Sequence, residues 1–346
     1  MKAVAVIEPG KVEIVEVSTP VPGPYQTRVR TEVATLCNAT DGKLVAGHFP
    51  GVDRYPLILG HESAGIVDAV GSKVRHFKVG DRAIGGLVFE FKEGYASGWG
   101  AFCAYTLVND HDAMVEDGVA DAAHGWCEVY EIQRAVPPGI SMEAAALLCT
   151  WREVYGGFGD FHLGKGDRVL IVGAGPVGLS FVKFGRLLGL GWIGVVEPLD
   201  HKRQRAIAMG ADAVFAPDSA ALDAHSRKRS GGLDAVIDAV GSEAILNAAL
   251  PLIKMGGSIC VYGVVGKPSI TVHSGAGPLN FNLYMHQWPT RFREQAAMEP
   301  LCAWIREGRL KTADFITHEF SLERINDALD AVKQGAVIKA LLRFGK

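Results

Sequence analysis

Gly173-Ala174-Gly175-Pro176-Val177-Gly178 restricts the fold of this chain more than any other segment. It directly follows Asp167-Arg168-Val169-Leu170-Ile171-Val172, a β-branched apolar run that reads as a buried parallel strand, and it opens a helix over residues 178–188. In that setting each glycine has a task. Gly173 allows the tight turn, Gly175 lets backbone approach a pyrophosphate, and Gly178 lets helix and strand pack closely. Pro176 and Val177 sit at the helix start, whose free N–H groups attract phosphate. The next strand, Trp192 to Val196, ends at Glu197, 24 residues after Gly173. A carboxylate there accepts both ribose hydroxyls of a dinucleotide and repels a 2′-phosphate, so NAD is expected over NADP. Lys202, Arg203 and Arg205 just beyond pull the other way, because a basic group could hold that phosphate.

The same rhythm continues around the motif. Helical stretches at Ser141 to Leu148 and Lys202 to Met209 alternate with strands at Ala213 to Phe215, Ala235 to Ile237 and Ser258 to Tyr262. That alternation implies a doubly wound parallel sheet. The first part of the chain has another texture. Short β-branched runs at residues 3–7, 11–17, 27–33, 64–70 and 101–108 are punctuated by Pro20, Pro22, Gly23 and Pro24. After about residue 284, two amphipathic helices and a short strand at Ile338 to Leu342 leave the alternating pattern. The expected organisation is a β-rich domain over 1–150 completed by 285–346, and a nucleotide-binding domain over 151–284. With 346 residues the chain is long enough for two domains.

Composition limits the function classes. Hydrophobic residues at 48% and charged residues at 21% exclude a mainly disordered chain. A net charge of −3 without a basic block argues against general nucleic-acid binding. The most apolar run, Val169 to Val182, is too short and too broken to span a membrane, and the opening MKAVAVIEPG is no signal peptide. A cytoplasmic protein is therefore expected. Six irregularly spaced cysteines are not a disulfide framework, so each is a core residue or a metal ligand.

Cys37, His61 in Gly60-His61-Glu62, and Cys149 form a thiolate–imidazole–thiolate set suited to Zn²⁺ with an open fourth position. Each residue taken alone fits a core position equally well. The chain as a whole resembles the zinc-dependent medium-chain dehydrogenases, the superfamily of alcohol, sorbitol and threonine dehydrogenases. The resemblance is carried by MKAVAV at the start, Gly60-His61-Glu62-Ser63-Ala64-Gly65, Val79-Gly80-Asp81-Arg82 and Gly100-Ala101-Phe102-Cys103-Ala104-Tyr105. Pro137-Pro138-Gly139, Gly166-Asp167-Arg168-Val169, the glycine loop and Met209-Gly210-Ala211-Asp212 then follow in order. It implies a GroES-like catalytic domain plus a Rossmann domain, an α/β protein. It further implies one catalytic zinc held by Cys37, His61 and Cys149, with Glu62 as ligand or immediate neighbour. Thr40 relays the substrate proton, Glu197 and Lys202 serve the adenosine ribose, and Lys339 holds cofactor phosphate. The implied partners are a small alcohol or ketone and a second copy of the chain, as homodimer or homotetramer.

The sequence departs from the family pattern in three places. Cys37-Asn38-Ala39-Thr40-Asp41 is one residue longer than usual, although a helical turn after Cys37 would still carry Thr40 to the site. The four cysteines of the family's structural zinc lobe are missing between Gly85 and Gly100, so Leu87 to Trp99 is expected to be a short loop. Residues 109–127 look like an insertion, most simply a surface loop. Trp151, Arg152, Glu153, His286, Gln287 and Trp288 fall at cleft-lining positions, and their polarity suggests a polyol, sugar or cyclitol as the secondary alcohol. A run at Ser269 to Val272 is expected to edge the sheet and pair in a dimer. A metal-free quinone or enone reductase of the same superfamily, and a silent binding protein, are the alternatives.

Overall fold

The computed structural model describes residues 1–217, 222 and 231–345 and divides the chain into two compact units. The first comprises Met1–Arg152 and Met298–Lys346, and the second Glu153–Ala297.

The first unit is built on two sheets. In the smaller, Lys11–Glu16, Lys2–Glu8, Leu57–Ile58 and Ala96–Ser97 lie side by side. The larger runs Ile316–Ser321, Lys339–Arg343, Gln26–Thr35, Ser63–Val70, Arg82–Ile84 and Arg134–Ala135, with Tyr105–Asn109 also pairing with Gln26–Thr35. Gln26–Thr35 alternates half-buried and buried residues, the period-2 pattern of a strand with one face on a core. That core gathers Val4, Val6, Leu36, Leu44, Leu57, Leu59 and Phe102 with Ile325, Ala340 and Leu342 from the end of the chain. The C-terminal segment is thus part of the first unit's interior.

The second unit holds a six-stranded, all-parallel sheet in the order Ala213–Phe215, Trp192–Val196, Arg168–Val172, Leu233–Asp238, Ile253–Val261, Asn282–Met285. Val169, Leu170 and Ile171 are fully buried, as a central strand covered on both faces requires. Strand order reverses at Arg168–Val172, which sends successive connections to opposite faces and opens a crevice at the carboxyl ends. The helices Pro176–Leu188 and Asp200–Met209 follow the two strands on one side of that point.

Several expectations change. The helix begun at Met142 continues to Asp160, 19 residues, well beyond Leu148. Ser269 to Val272 is not a strand; Asn282–Met285 supplies the sheet edge instead. Its polar Asn282 hid it from hydrophobic-run reading. Residues 109–127 are not a plain loop either. They hold the helix His111–Glu116 and a 3₁₀ turn at Ala122–His124. Asp110 caps that helix, accepting from the Ala113 N–H at 3.1 Å, and also accepts from the backbone of Arg75 and His76. The Leu87 to Trp99 segment contains the strand Ala96–Ser97, which pairs with Leu57–Ile58. No helix among the described residues is long and apolar enough to cross a membrane.

Candidate active site

Strand register assembles the first constellation. Ala34 pairs with Ser63 between two antiparallel strands, so Cys37 and the His61-Glu62 pair emerge at the same end. Leu341 pairs with Thr35 on the other side, which brings Lys339 to that end as well. His61 is set by the turn at Gly60, whose φ is +102°. A Cβ there would stand 2.3 Å from the Phe102 ring and 2.5 Å from the Phe102 nitrogen, so only glycine fits.

The ligand atoms of Cys37, His61 and Glu62 lie within 4.8 Å of one another. Cys37 and His61 keep some exposure, and Glu62 is buried. His61 Nε2 faces Glu62 Oε1 at 3.8 Å, and Nδ1 faces Asp41 Oδ1 at 3.5 Å. Asp41 is 1% exposed, and its other oxygen accepts from the Cys37 backbone N–H at 2.8 Å. This carboxylate behind an imidazole is the arrangement that orients a histidine toward a metal.

Glu62 is anchored from behind. Thr150 Oγ1 donates to Oε1 at 2.6 Å, the Thr35 hydroxyl donates to Oε2, and Lys339 Nζ sits 2.5 Å from Oε2. Burial pushes the Glu62 carboxyl up, but the charges of Lys339 and His61 hold it below its usual value. Burial likewise opposes the Cys37 thiolate, and the hydrogen bond and charge of His61 overcome it, so the thiol lies below its usual value. Asp41, Glu62 and the Cys37 thiolate still outnumber the two cations beside them, Lys339 and His61, which leaves an excess of negative charge at mixed sulfur, nitrogen and oxygen donors. That set fits a divalent borderline-soft ion such as Zn²⁺.

Two expected roles are corrected. Cys149 is not in the cluster. Its buried Sγ lies 4.0 Å from the Ser63 carbonyl, and on the helix Met142–Asp160 it is the next residue, Thr150, that reaches Glu62. Neighbouring helical residues do not share a face, so a one-position difference decides which side chain enters the site. Lys339, expected to hold cofactor phosphate, has its ammonium on Glu62 instead. It is 1% exposed and committed to Glu62 and Thr150 within the first unit. Thr40 opens the helix Thr40–Ala46 three residues after Cys37 and is half-buried. Sequence reasoning gave no role to Asp41, Thr35 or Thr150, because hydrogen bonds behind a ligand leave no motif.

Polar lining expected near the substrate also moves. Arg152 is fully buried and donates to the carbonyls of Leu148 and Ile132 at 3.0 and 2.8 Å. Trp151 is core, packed edge-on against Phe315 at 5.1 Å. Glu153 is half-buried, at the start of the second unit. There His286 lies 3.8 Å from Asp160, Gln287 Oε1 accepts from the Val265 N–H at 2.9 Å, and Trp288 is exposed beneath Arg291.

The second constellation lies in the second unit at the crevice. Gly173 has φ +98°. Gly175 caps the helix Pro176–Leu188, and a Cβ added to it meets nothing within 4 Å, so the space above it is open. A Cβ on Gly178 would fall 1.9 Å from the Gly173 carbonyl, the close packing the third glycine permits. Pro176 and Val177 form the first turn of that helix and are partly exposed. Glu197 is 5% exposed; its Oε2 accepts from the Ala174 N–H at 2.8 Å and its Oε1 from Leu199 N–H at 3.0 Å. The carboxylate is therefore fixed against the glycine loop with lone pairs to spare. Arg203 is turned onto the carbonyls of Glu197 and Pro198 at 2.6 and 2.7 Å. Lys202, on the helix Asp200–Met209, is 9% exposed.

Comparison with known proteins agrees with both halves. Residues 23–116 match the model of the alcohol dehydrogenase GroES-like domain, and residues 176–287 match that of the zinc-binding dehydrogenases. An alcohol dehydrogenase of Cupriavidus necator is 26% identical over 99% of this chain and 98% of its own. Human sorbitol dehydrogenase is 23% identical over 97% of this chain and 93% of its own. The solved structure of an alcohol dehydrogenase from Thermus sp. ATN1 superposes with a TM-score of 0.79 at 24% identity, covering all of both chains.

Proposed function

Because this chain belongs to the zinc-type medium-chain dehydrogenase/reductase superfamily, we propose that Cys37, His61 and Glu62 hold one catalytic zinc ion and that the Gly173–Gly178 loop with Glu197 holds NAD. The protein is an alcohol-oxidising oxidoreductase. Its substrate is a secondary alcohol of the polyol, sugar or cyclitol kind, converted to the ketone, and the reverse. The reading is carried by one observation: three metal-binding side chains meet at the end of paired strands, with a buried carboxylate behind the histidine.

Zinc, when bound, supplies the charge that makes a substrate hydroxyl acidic near neutral pH, and NAD supplies the hydride acceptor. The chain's own groups do the rest. Asp41 holds the His61 ring with Nε2 inward. Lys339, Thr35 and Thr150 hold Glu62 in one place, so its carboxylate is available without reorganisation. Thr40 Oγ1 takes the proton released by the substrate and passes it to solvent. Glu197 accepts the ribose hydroxyls and disfavours a 2′-phosphate. The hydroxyl-rich substrate class draws on the likeness to sorbitol dehydrogenase; the buried Arg152 does not contribute. The parallel edge strand Asn282–Met285 supports association into a homodimer or homotetramer.

Metal analysis of the purified protein, followed by kinetics with NAD and NADP on polyols, sugars, cyclitols and short aliphatic alcohols, tests this function. One zinc per chain with NAD-linked oxidation of a polyol is the expected result. A metal-free enzyme that reduces quinones or enones would overturn it.

A further inference from the structure

We propose that the Trp99 indole is the specificity-determining wall beside the metal cluster, and that it selects ring-shaped secondary alcohols over open-chain ones. The proposal rests on the alcohol-oxidising reading above and narrows its substrate.

Trp99 adopts φ +68°, a region that bulky side chains almost never occupy. Such an outlier persists only where the surroundings over-determine it, and here they do. The Gly98 N–H donates to the Ile58 carbonyl at 2.7 Å, the Trp99 carbonyl accepts from Val88 at 3.0 Å, and the Ala101 N–H donates to Gly60 at 2.8 Å. The backbone on both sides of Trp99 is thus tied to the strand and turn that present His61. Neither neighbour could carry a side chain. A Cβ on Gly98 would meet Leu57 at 2.9 Å, and one on Gly100 would meet the Val88 carbonyl at 2.4 Å. Position 99 is the one place in this turn from which a side chain can project.

What projects is a large aromatic face. The indole lies edge-on to His61 with ring centres 5.7 Å apart and to Phe49 at 5.4 Å, and it remains half-buried. Asp41, Glu62 and Lys339, the buried members of the cluster, close its inner side. Cys37, His61 and Trp99 keep exposed surface, as do Asn38 and Thr40 just after Cys37, and Trp99 is the large aromatic among them. An alcohol that reaches the cluster from the open side therefore passes along the indole. A six-membered ring presents a flat C–H face to such a wall while its hydroxyls point away. An open chain of equal carbon number must freeze several torsions to present the same area.

The test pairs cyclohexanol with 2-hexanol and myo-inositol with sorbitol. Efficiency is measured for the wild type, for Trp99→Asn, which tolerates the left-handed backbone, and for Trp99→Phe, with zinc content determined for each. The ring-to-chain ratio should exceed one in the wild type, fall about tenfold in Trp99→Asn and largely survive in Trp99→Phe, with zinc content unchanged. A wild type that favours the open chains, or a ratio untouched in Trp99→Asn, overturns the proposal. Saturation-transfer NMR of cyclohexanol and myo-inositol on the same proteins without cofactor separates the two readings. If no alcohol turns over, the alcohol-oxidising reading falls, and the wall still stands or falls on whether ring binding is lost in Trp99→Asn.

Discussion

A one-residue step along a helix separates Thr150, which touches Glu62, from Cys149, which does not. The consequence is measurable as metal content. Cys37→Ser should lose its zinc, whereas Cys149→Ser should keep it; atomic absorption on dialysed protein checks both. Loss of zinc from Cys149→Ser would return that thiol to the ligand set. In the second unit Glu197, proposed to discriminate between the cofactors, is held by two backbone donors against the glycine loop. Glu197→Gln removes the charge that repels a 2′-phosphate and weakens the ribose contact. The NAD-over-NADP efficiency ratio should then fall by about 10- to 100-fold, the size of one charged hydrogen bond. An unchanged ratio would place the discrimination elsewhere. These two sites differ in how far the residues alone disclose them. Glu197 sits at a fixed distance from a glycine motif and ends a strand, so spacing finds it. Lys339 and Thr150 lie 277 and 88 residues from Glu62, and nothing local marks them as its partners.

Register between strands brings Cys37, Lys339 and the Gly60-His61-Glu62 motif to one end, and it explains which elements were legible. Trp192–Val196 begins and ends where its apolar run does, because a strand buried on both faces writes its length in hydrophobicity. Arg82–Ile84, Arg134–Ala135 and Asn282–Met285 are short or polar, and their pairing depends on neighbours far away in sequence. The helix His111–Glu116 was hidden likewise, since it depends on its cap. Asp110 is 1% exposed and accepts from three backbone N–H groups as well as from His76. Burial pushes its carboxyl up, but those donors hold it below its usual value. Asp110→Ala should cost about 3 kcal/mol in denaturant unfolding, a cap plus charged hydrogen bonds. A change under half of that would mean the segment 109–127 contributes little. His76, bonded to Asp110 and 3.3 Å from Glu116, is raised above its usual value, first by the hydrogen bond from its ring to Asp110. A raised histidine stabilises fully below its unfolded value of about 6.5, and the contribution disappears as pH rises through the folded value. The wild type should therefore lose stability above about pH 6.5 in a way that His76→Gln does not. Parallel pH–stability curves for the two proteins would contradict this.

At the scale of the whole molecule, each unit has its own core and its own candidate site. A ligand of the second unit stabilises that unit by mass action, so NAD at 100 times its dissociation constant should add about 2.7 kcal/mol to its unfolding. Differential scanning calorimetry with and without NAD checks this, and an unmoved transition would count against the glycine loop as the NAD site. The first unit, however, is made from two stretches of chain, Met1–Arg152 and Met298–Lys346, with the second unit threaded between them. On the ribosome this order imposes a delay. Translation at about 5–20 residues per second leaves the first stretch waiting roughly 10–40 s before the last strand emerges to pair with Val33–Thr35. Until then Glu62 lacks its buried ammonium partner, while Glu153–Ala297 already has every strand of its own sheet. The second unit can be born folded; the cluster around Glu62 is complete only after Lys339–Arg343 has been made.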